Sequence, residues 1–200
     1  GEAIESLLRL NKASEAMELF YKNACLLCKI FGAPSYSSKI VFSDAYPLGE
    51  DGEVLPFSFN TRTGIAIDRR SGTVLRGALY TVELIEPGAK FRFLITSRNL
   101  PNYALGLVST IIRMINSGEV KIGGFKTRGF GAVRIDKLSF KVKDNPRSEE
   151  AVLKPLDDKD QRVELNGLVR MEDGWLAAED ENAWIILKKL EDTWYAYAKS

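Results

Sequence analysis

The chain has 200 residues, 45% of them hydrophobic, 10% aromatic and 28% charged, which is a folded globular profile and excludes a disordered chain, a collagen-like repeat or a disulfide-stapled miniprotein. It contains 0 histidines, which removes Ser-His-Asp hydrolysis, imidazole acid–base catalysis and imidazole metal sites. The net charge of +1 hides a segregation, with −3 over residues 1–59, +10 over residues 60–143 and −6 over residues 144–200.

In chain order, Ile4, Leu7, Leu8, Leu10, Met17, Leu19 and Phe20 lie close to a helical stripe, with Glu5, Arg9, Lys12, Glu15 and Glu18 on the other face. The pattern extends through Cys25, Leu26, Leu27 and Ile30 to a stop at Gly32 and Pro34. This charged start has no small-residue cleavage site and reads as helix rather than secretory leader. No apolar run approaches the about 18 residues of a membrane span. Residues 39–45 (KIVFSDA) read as a strand ending at Tyr46-Pro47, and Gly49, Gly52 and Pro56 mark residues 48–59 as loop. Residues 65–68 and 73–75 form an expected hairpin with Ser71-Gly72 in its turn. Residues 79–86 and 90–97 read as two strands about a Pro87-Gly88 turn, the second alternating Phe91, Phe93 and Ile95 with Arg92, Leu94 and Thr96.

Pro101 suits a first helical turn and Asn99 is its candidate cap, for an almost wholly apolar helix over 103–116 that closes at Ser117-Gly118. A glycine-rich loop follows, then a long alternating strand over 132–142, broken by Asp144-Asn145-Pro146. Residues 144–162 read as polar linker. Residues 164–199 read as a small meander or strand–helix appendage whose three tryptophans pack against the main sheet. The order predicts an α+β fold: a ferredoxin-like (RRM-like) core lacking its first strand in this chain, with a β-hairpin insertion at about 48–78 and a small C-terminal appendage. The expected domains are a core over 1–143 and an acidic linker with its appendage over 144–200, and the chain is expected to begin inside its domain.

The segment most informative about chemistry is Ile122-Gly123-Gly124-Phe125-Lys126-Thr127-Arg128-Gly129-Phe130-Gly131. Its glycines let backbone approach a ligand and turn amide N–H groups toward an anion, while Lys126 and Arg128 add charge and Thr127 a hydroxyl. It is not a phosphate loop of the Gly-Lys-Ser/Thr kind, nor a dinucleotide fingerprint, which needs a strand before it and a helix after. With Phe125 and Phe130 beside the cations it fits the backbone of a single-stranded nucleic acid. The basic middle of the chain points the same way, toward a polyanion-binding surface; the competing reading is a basic face that only pairs with the acidic tail.

Cys25 and Cys28 form a C-x-x-C. With no third cysteine and no histidine, a closed zinc site lacks two preferred ligands, and no thioredoxin-like context surrounds a redox pair. A partial metal site completed by carboxylates is the alternative; the preferred reading is two buried thiols at a helix end in a reducing cytosol. Glu149-Glu150, Asp157-Asp158 and Glu179-Asp180-Glu181 read as solvated charge, or as a docking surface for a basic subunit. No metal or cofactor is expected.

The string GGFKTRGFGAVRI (residues 123–135) resembles the glycine-rich loop and last strand of the RAMP superfamily of CRISPR-associated proteins. CLLCKIFG (25–32) with SKIVFSDAYP (38–47), and TRTGIAIDRRSGTV (61–74) with GALYTVELIEPGAKFRF (77–93), resemble in that order the Cas7-type backbone subunit of type III CRISPR effector complexes. The resemblance runs over roughly residues 20–142 and does not extend to the tail. It implies a cytoplasmic protein, not a membrane one, with a ferredoxin-like core whose copies line up along a guide RNA (crRNA) and pair it with target RNA. The implied partners are crRNA, target RNA, other effector subunits and copies of this chain.

Carried over by position, Gly123, Gly124, Lys126, Thr127, Arg128 and Gly129 would contact crRNA phosphates. Residues 65–75 would resemble a thumb hairpin, with Arg62, Arg69 and Arg70 on the RNA backbone and Ile67 and Val74 wedged against bases. The family's first strand and the loop bearing its target-cleaving aspartate precede Gly1, so no catalytic residue is assigned. Asp44 reads as a structural acid at a strand end, and Asp68 as a hairpin residue paired with Arg69 or Arg70. The leading expectation is therefore a crRNA-binding structural subunit in which base pairing, not protein, reads sequence. The alternative is a metal-independent RAMP-type RNA-processing endonuclease, disfavoured by the lack of histidine and of an evident Tyr/Lys/Ser cluster. A small-molecule sensor is disfavoured by the charge of residues 60–143.

Overall fold

The computed structural model describes residues 2–49, 51–55, 59–143 and 150–199. Pro56, the Asp144-Asn145-Pro146 break and Glu149 lie outside the described residues. In chain order the first elements are α1 (Glu2–Arg9), α2 (Ala13–Asn23), α3 (Leu26–Phe31), β1 (Ile40–Phe42), β2 (Tyr46–Leu48), β3 (Phe59–Ile67) and β4 (Val74–Ile85). There follow β5 (Lys90–Arg92), β6 (Ile95–Ser97), α4 (Asn102–Asn116), β7 (Ser139–Val142), β8 (Val152–Leu153), β9 (Val163–Glu164), β10 (Arg170–Glu172), β11 (Trp175–Glu179) and α5 (Asp180–Lys199). The fold is α+β, with small antiparallel sheets. The chain divides into two compact units, residues 1–39 with 97–200, and residues 40–96.

In the first unit, the single apolar stripe expected at the start is cut into three helices. Asn11 takes a left-handed φ of 57° after α1, a conformation asparagine tolerates, and Ala24 and Cys25 are extended between α2 and α3. Helical periodicity survives such breaks, so the stripe alone does not reveal them. Gly32 ends α3 as expected, with a φ of 89°.

Helix α4 begins where the sequence predicts but is capped differently. Asn99 sits at a φ of 52°, and it is the Asp160 carboxylate that accepts from the backbone N–H groups of Asn102 (3.0 Å) and Tyr103 (3.3 Å). Buried Asn102 returns the tie by donating to the Gln161 carbonyl at 2.7 Å. A helix apolar nearly all round must be covered. Here α5 crosses it so closely that a Cβ at Gly106 would collide with the Leu190 carbonyl. Trp194 meets α4 at Gly106, and Trp175 is exposed beneath the Lys143 ammonium, so these two tryptophans do not pack on a main sheet as expected. A buried hydrophobic cluster joins Leu153, Val163 and Leu165 to Ala178, Ala183, Ile186 and Leu190.

Of the strand expected over 132–142 only β7 forms. A strand needs a partner edge, and β11 pairs Ser139 to Val142 alone, from Glu179↔Ser139 to Leu176↔Val142. Residue 135 instead donates its N–H to Asn116 Oδ1 at the end of α4 (2.9 Å).

The second unit is built on a long hairpin. β3 and β4 pair from Phe59↔Ile85 to Ile65↔Leu79, with an irregularity before Ile67↔Val74. The sequence suggests two strands, 73–75 and 79–86, where there is one, and loop where β3 starts. The first five residues of β3 (Phe59 to Thr63) and the first four of β4 (Val74 to Gly77) are exposed on both faces, so no buried alternation marks them. The turn does hold Ser71-Gly72 as expected, Gly72 donating to the Asp68 carbonyl at 2.8 Å. Residues 90–97 are two strands because they change partner, β5 pairing with β2 and β6 with β1. Between them Leu94 N–H donates to Ser43 Oγ (2.8 Å), and Ser43 N–H to the Leu94 carbonyl (2.9 Å).

Candidate nucleic-acid interface

The glycine-rich loop is launched from the C-terminus of α4. Arg113, in its last turn, bonds Glu119 at 2.9 Å and Glu191 of α5 at 2.8 Å, and Ser117 Oγ donates to Glu119 at 2.7 Å. Burial raises the Glu191 carboxyl, but hydrogen bonds from Arg113 and Tyr195 outweigh it and hold the group below the usual glutamate range. This network fixes where the loop starts.

The base of the loop is closed by Ile122 N–H donating to the Gly131 carbonyl at 2.9 Å. Gly131 has a φ of 83°, and a Cβ there would collide with the Ile122 carbonyl, so the closure requires glycine. Within the loop Phe125 is left-handed, Lys126–Arg128 form one 3-10 turn, and Arg128 N–H donates to the Phe125 carbonyl at 2.8 Å. Lys121 Nζ braces the turn from outside by donating to the Lys126 carbonyl (3.2 Å). Phe125 and Phe130 meet edge to face at 6.2 Å, and the Arg128 guanidinium lies 5.8 Å from the Phe125 ring centroid.

Every residue singled out in the loop, namely Gly123, Gly124, Lys126, Thr127, Arg128 and Gly129, is exposed. Added Cβ atoms at Gly123, Gly124 and Gly129 would meet nothing within 4 Å. The acidic tail reaches the basic segment through Arg113–Glu191 and through Lys141–Glu172 at 3.1 Å. Lys121, Lys126, Arg134 and Lys137 stand in no ion pair among the described residues. A folded, braced loop that exposes Lys126, with Arg134 and Lys137 exposed just beyond it, suits a phosphate backbone.

In the second unit, Arg62 lies in β3 opposite Val82, and Arg69 and Arg70 are exposed in the hairpin turn. Ile67 and Val74 pair in register beside the turn and are 63% and 56% exposed, so the hairpin brings this candidate wedge together. Asp68 is not paired with an arginine side chain, as its neighbours suggest. It accepts from the Arg70 backbone N–H (2.9 Å) and Ser71 Oγ (3.1 Å), which hold its carboxyl below the usual aspartate range. Asp44 is exposed and lies beside its own neighbours, 3.5 Å from the Tyr46 hydroxyl.

Two further sites differ from the sequence reading. Tyr21 of α2, Tyr36 and Lys39 form a cluster that no local spacing reveals, with the two hydroxyls 2.7 Å apart and Lys39 Nζ donating to Tyr21 at 2.8 Å. Burial raises the Tyr21 phenol, but the bonds from Lys39 and Tyr36 and the ammonium charge outweigh it and leave the phenol below its ordinary value. The only sequence signal for this cluster was its composition, since residues 15 positions apart in the chain share no periodic face. Cys25 and Cys28 are not buried. The first is exposed and the second half-buried, because the extended Ala24-Cys25 link leaves the helical stripe. The described acids read as solvated, Glu150, Asp157, Asp158, Glu179, Asp180 and Glu181, are exposed, and Asp157 in addition accepts from the Tyr103 hydroxyl (2.8 Å).

The RAMP superfamily pattern matches residues 2–134, which include both the hairpin and the glycine-rich loop. The chain belongs to the RAMP superfamily. This RAMP chain is similar to the CRISPR system Cms endoribonuclease Csm3 of Methanocaldococcus jannaschii, at 26% identity over 149 residues. The alignment covers 70% of the chain, which thereby spans 60% of the length of that relative. The RAMP match stops short of β7, so the helix α5 that packs on α4 lies outside it. Among the described residues, no helix of this RAMP protein is long and apolar enough to cross a membrane.

Proposed function

We propose that this chain is a crRNA-binding structural subunit of a type III CRISPR ribonucleoprotein, working in the cytoplasm beside copies of itself and other effector subunits. In this reading residues 1–143 carry a ferredoxin-like core with the β3–β4 hairpin as its insertion, and residues 144–200 are an appendage whose Leu153, Val163 and Leu165 share the buried cluster with α5. Lys126 and Arg128 neutralise guide phosphates, Thr127 donates its hydroxyl, and Gly123, Gly124 and Gly129 let RNA approach the backbone closely. Arg62, Arg69 and Arg70 hold RNA backbone along the hairpin, and Ile67 with Val74 meets bases of the guide–target duplex. The observation that carries this reading is the braced, exposed loop whose Lys126 stands in no ion pair among the described residues. RAMP membership and the similarity to Csm3 support it.

The test is binding of labelled single-stranded RNA across a salt series. Lys126→Ala/Arg128→Ala removes two phosphate contacts, so the slope of log affinity against log salt is expected to shrink by about 1.4, at about 0.7 per contact on a single strand. An unchanged affinity and slope in the double variant would sink the loop as the binding site.

One observation favours a second reading, metal-independent RNA cleavage. In the Tyr21–Tyr36–Lys39 cluster a phenol is hydrogen-bonded to an ammonium and held below its ordinary pKa. Once ionised, that phenol takes the proton of a ribose 2′-hydroxyl as that oxygen attacks the adjacent phosphorus. The P–O5′ bond breaks to leave a 2′,3′-cyclic phosphate, the 5′ oxygen departs with a proton from water, and the ammonium offsets the growing phosphoryl charge. This reading expects cleavage in the presence of EDTA that Tyr21→Phe abolishes. Uncleaved RNA removes it and leaves the binding reading standing.

A further inference from the structure

Cys25 and Cys28 have no part in the RNA contacts proposed above, and they are the chain's 2 cysteines. Cys25 occupies the extended position before α3 and Cys28 the first turn of the helix. That turn sets the two sulfurs 3.5 Å apart, close enough for one thiol to donate to the other. Cys25 is exposed and Cys28 half-buried, so neither sulfur is spent on packing. Among the described residues, no cluster of three or more His, Cys, Asp or Glu side chains is suited to hold a metal, so no further ligand stands beside the pair. A disulfide needs its sulfurs at about 2.05 Å, an approach of about 1.5 Å from the present separation.

We infer that Cys25 and Cys28 form a reactive dithiol that small-molecule disulfides convert into an intramolecular disulfide. The more exposed Cys25 attacks first. The Cys28 backbone N–H and thiol face its sulfur and hold it below the ordinary thiol range, while the same contact pushes Cys28 up. The Cys25 thiolate bonds to one sulfur of the small disulfide and expels the other as a thiolate, which takes up a proton. Cys28 then gives up its proton and attacks the Cys25 sulfur, forming the Cys25–Cys28 bond and expelling the second small thiol. Two cysteines are oxidised and one disulfide is reduced to two thiols. The change stays local, because α3 is anchored independently. Ile30 is fully buried, and its carbonyl accepts from the Lys39 N–H at 2.9 Å.

The full chain, reduced and then freed of reductant, is incubated with oxidised glutathione and followed by intact mass and by thiol titration. The expected product is a monomer lighter by two hydrogens, without a glutathione adduct, with both thiols lost and a far-ultraviolet circular dichroism spectrum unchanged. Cys28→Ser is expected to stop at a stable glutathione adduct on Cys25, and Cys25→Ser to react more slowly. Independent adducts on both cysteines of the unsubstituted chain would overturn the inference. So would thiols that react only after denaturation, or a metal ion retained by the purified protein on this pair.

Discussion

The crossing of α4 and α5 and the loop that leaves α4 both depend on glycine, for opposite reasons. At the crossing, the missing side chain of Gly106 lets the Leu190 carbonyl and Trp194 come against the helix. In the loop, Gly123, Gly124 and Gly129 have open space around them, and only Gly131 at the base is crowded. Glycine in the packed place holds two helices together. In the open place it leaves the backbone of a cationic loop bare, which is the surface the proposed RNA contact would use. The same residue type is thus packed in one region and open to solvent in the other.

Substitutions separate the two. Gly106→Leu drives a side chain into the Leu190 backbone and is expected to cost about 3 kcal/mol, read as a lowered denaturation midpoint. A midpoint unchanged from the parent would mean that the helices do not cross there. Gly131→Ala combines a positive φ with the collision at the Ile122 carbonyl and should cost about 2 kcal/mol while lowering RNA affinity. Loss of stability with full RNA binding would disconnect loop shape from recognition.

Glu191→Gln tests the tie between the regions, and should cost about 1–2 kcal/mol at neutral pH. The folded Glu191 carboxyl is held below its unfolded value, so its contribution is present above the ordinary glutamate range and is lost as pH falls through the depressed value. The gap in stability between parent and variant should therefore close on acidification. A gap constant with pH would contradict that assignment. The smallest effect belongs to Gly124→Ala, which has open space and no positive φ and should change stability by no more than about 0.5 kcal/mol. A large loss of stability there would show that the loop is packed rather than open.

Much of this was legible from local pattern. The apolar run of α4, the proline before it, the Ser71-Gly72 turn and the glycine-rich loop each follow from residues close together in the chain, and the structure has all of them. The exposed cations were legible as well, because charge segregation is visible without coordinates. What escaped was contact between distant residues. The cap of α4 comes from Asp160, 58 positions from Asn102, and the Tyr21–Lys39 bond joins residues 18 apart. The hairpin strands are longer than the sequence suggests because their starts, exposed on both faces, carry no alternation.

The α+β class, the RAMP membership and the position of the exposed glycine-rich loop follow from the residues alone, since periodicity, charge and turn residues act over a few positions. Only the tertiary structure decided which glycine is packed and which is open, which acid caps α4, and which sulfurs reach water. Those depend on what lies across a gap from each residue, and the chain sets that only when it closes on itself.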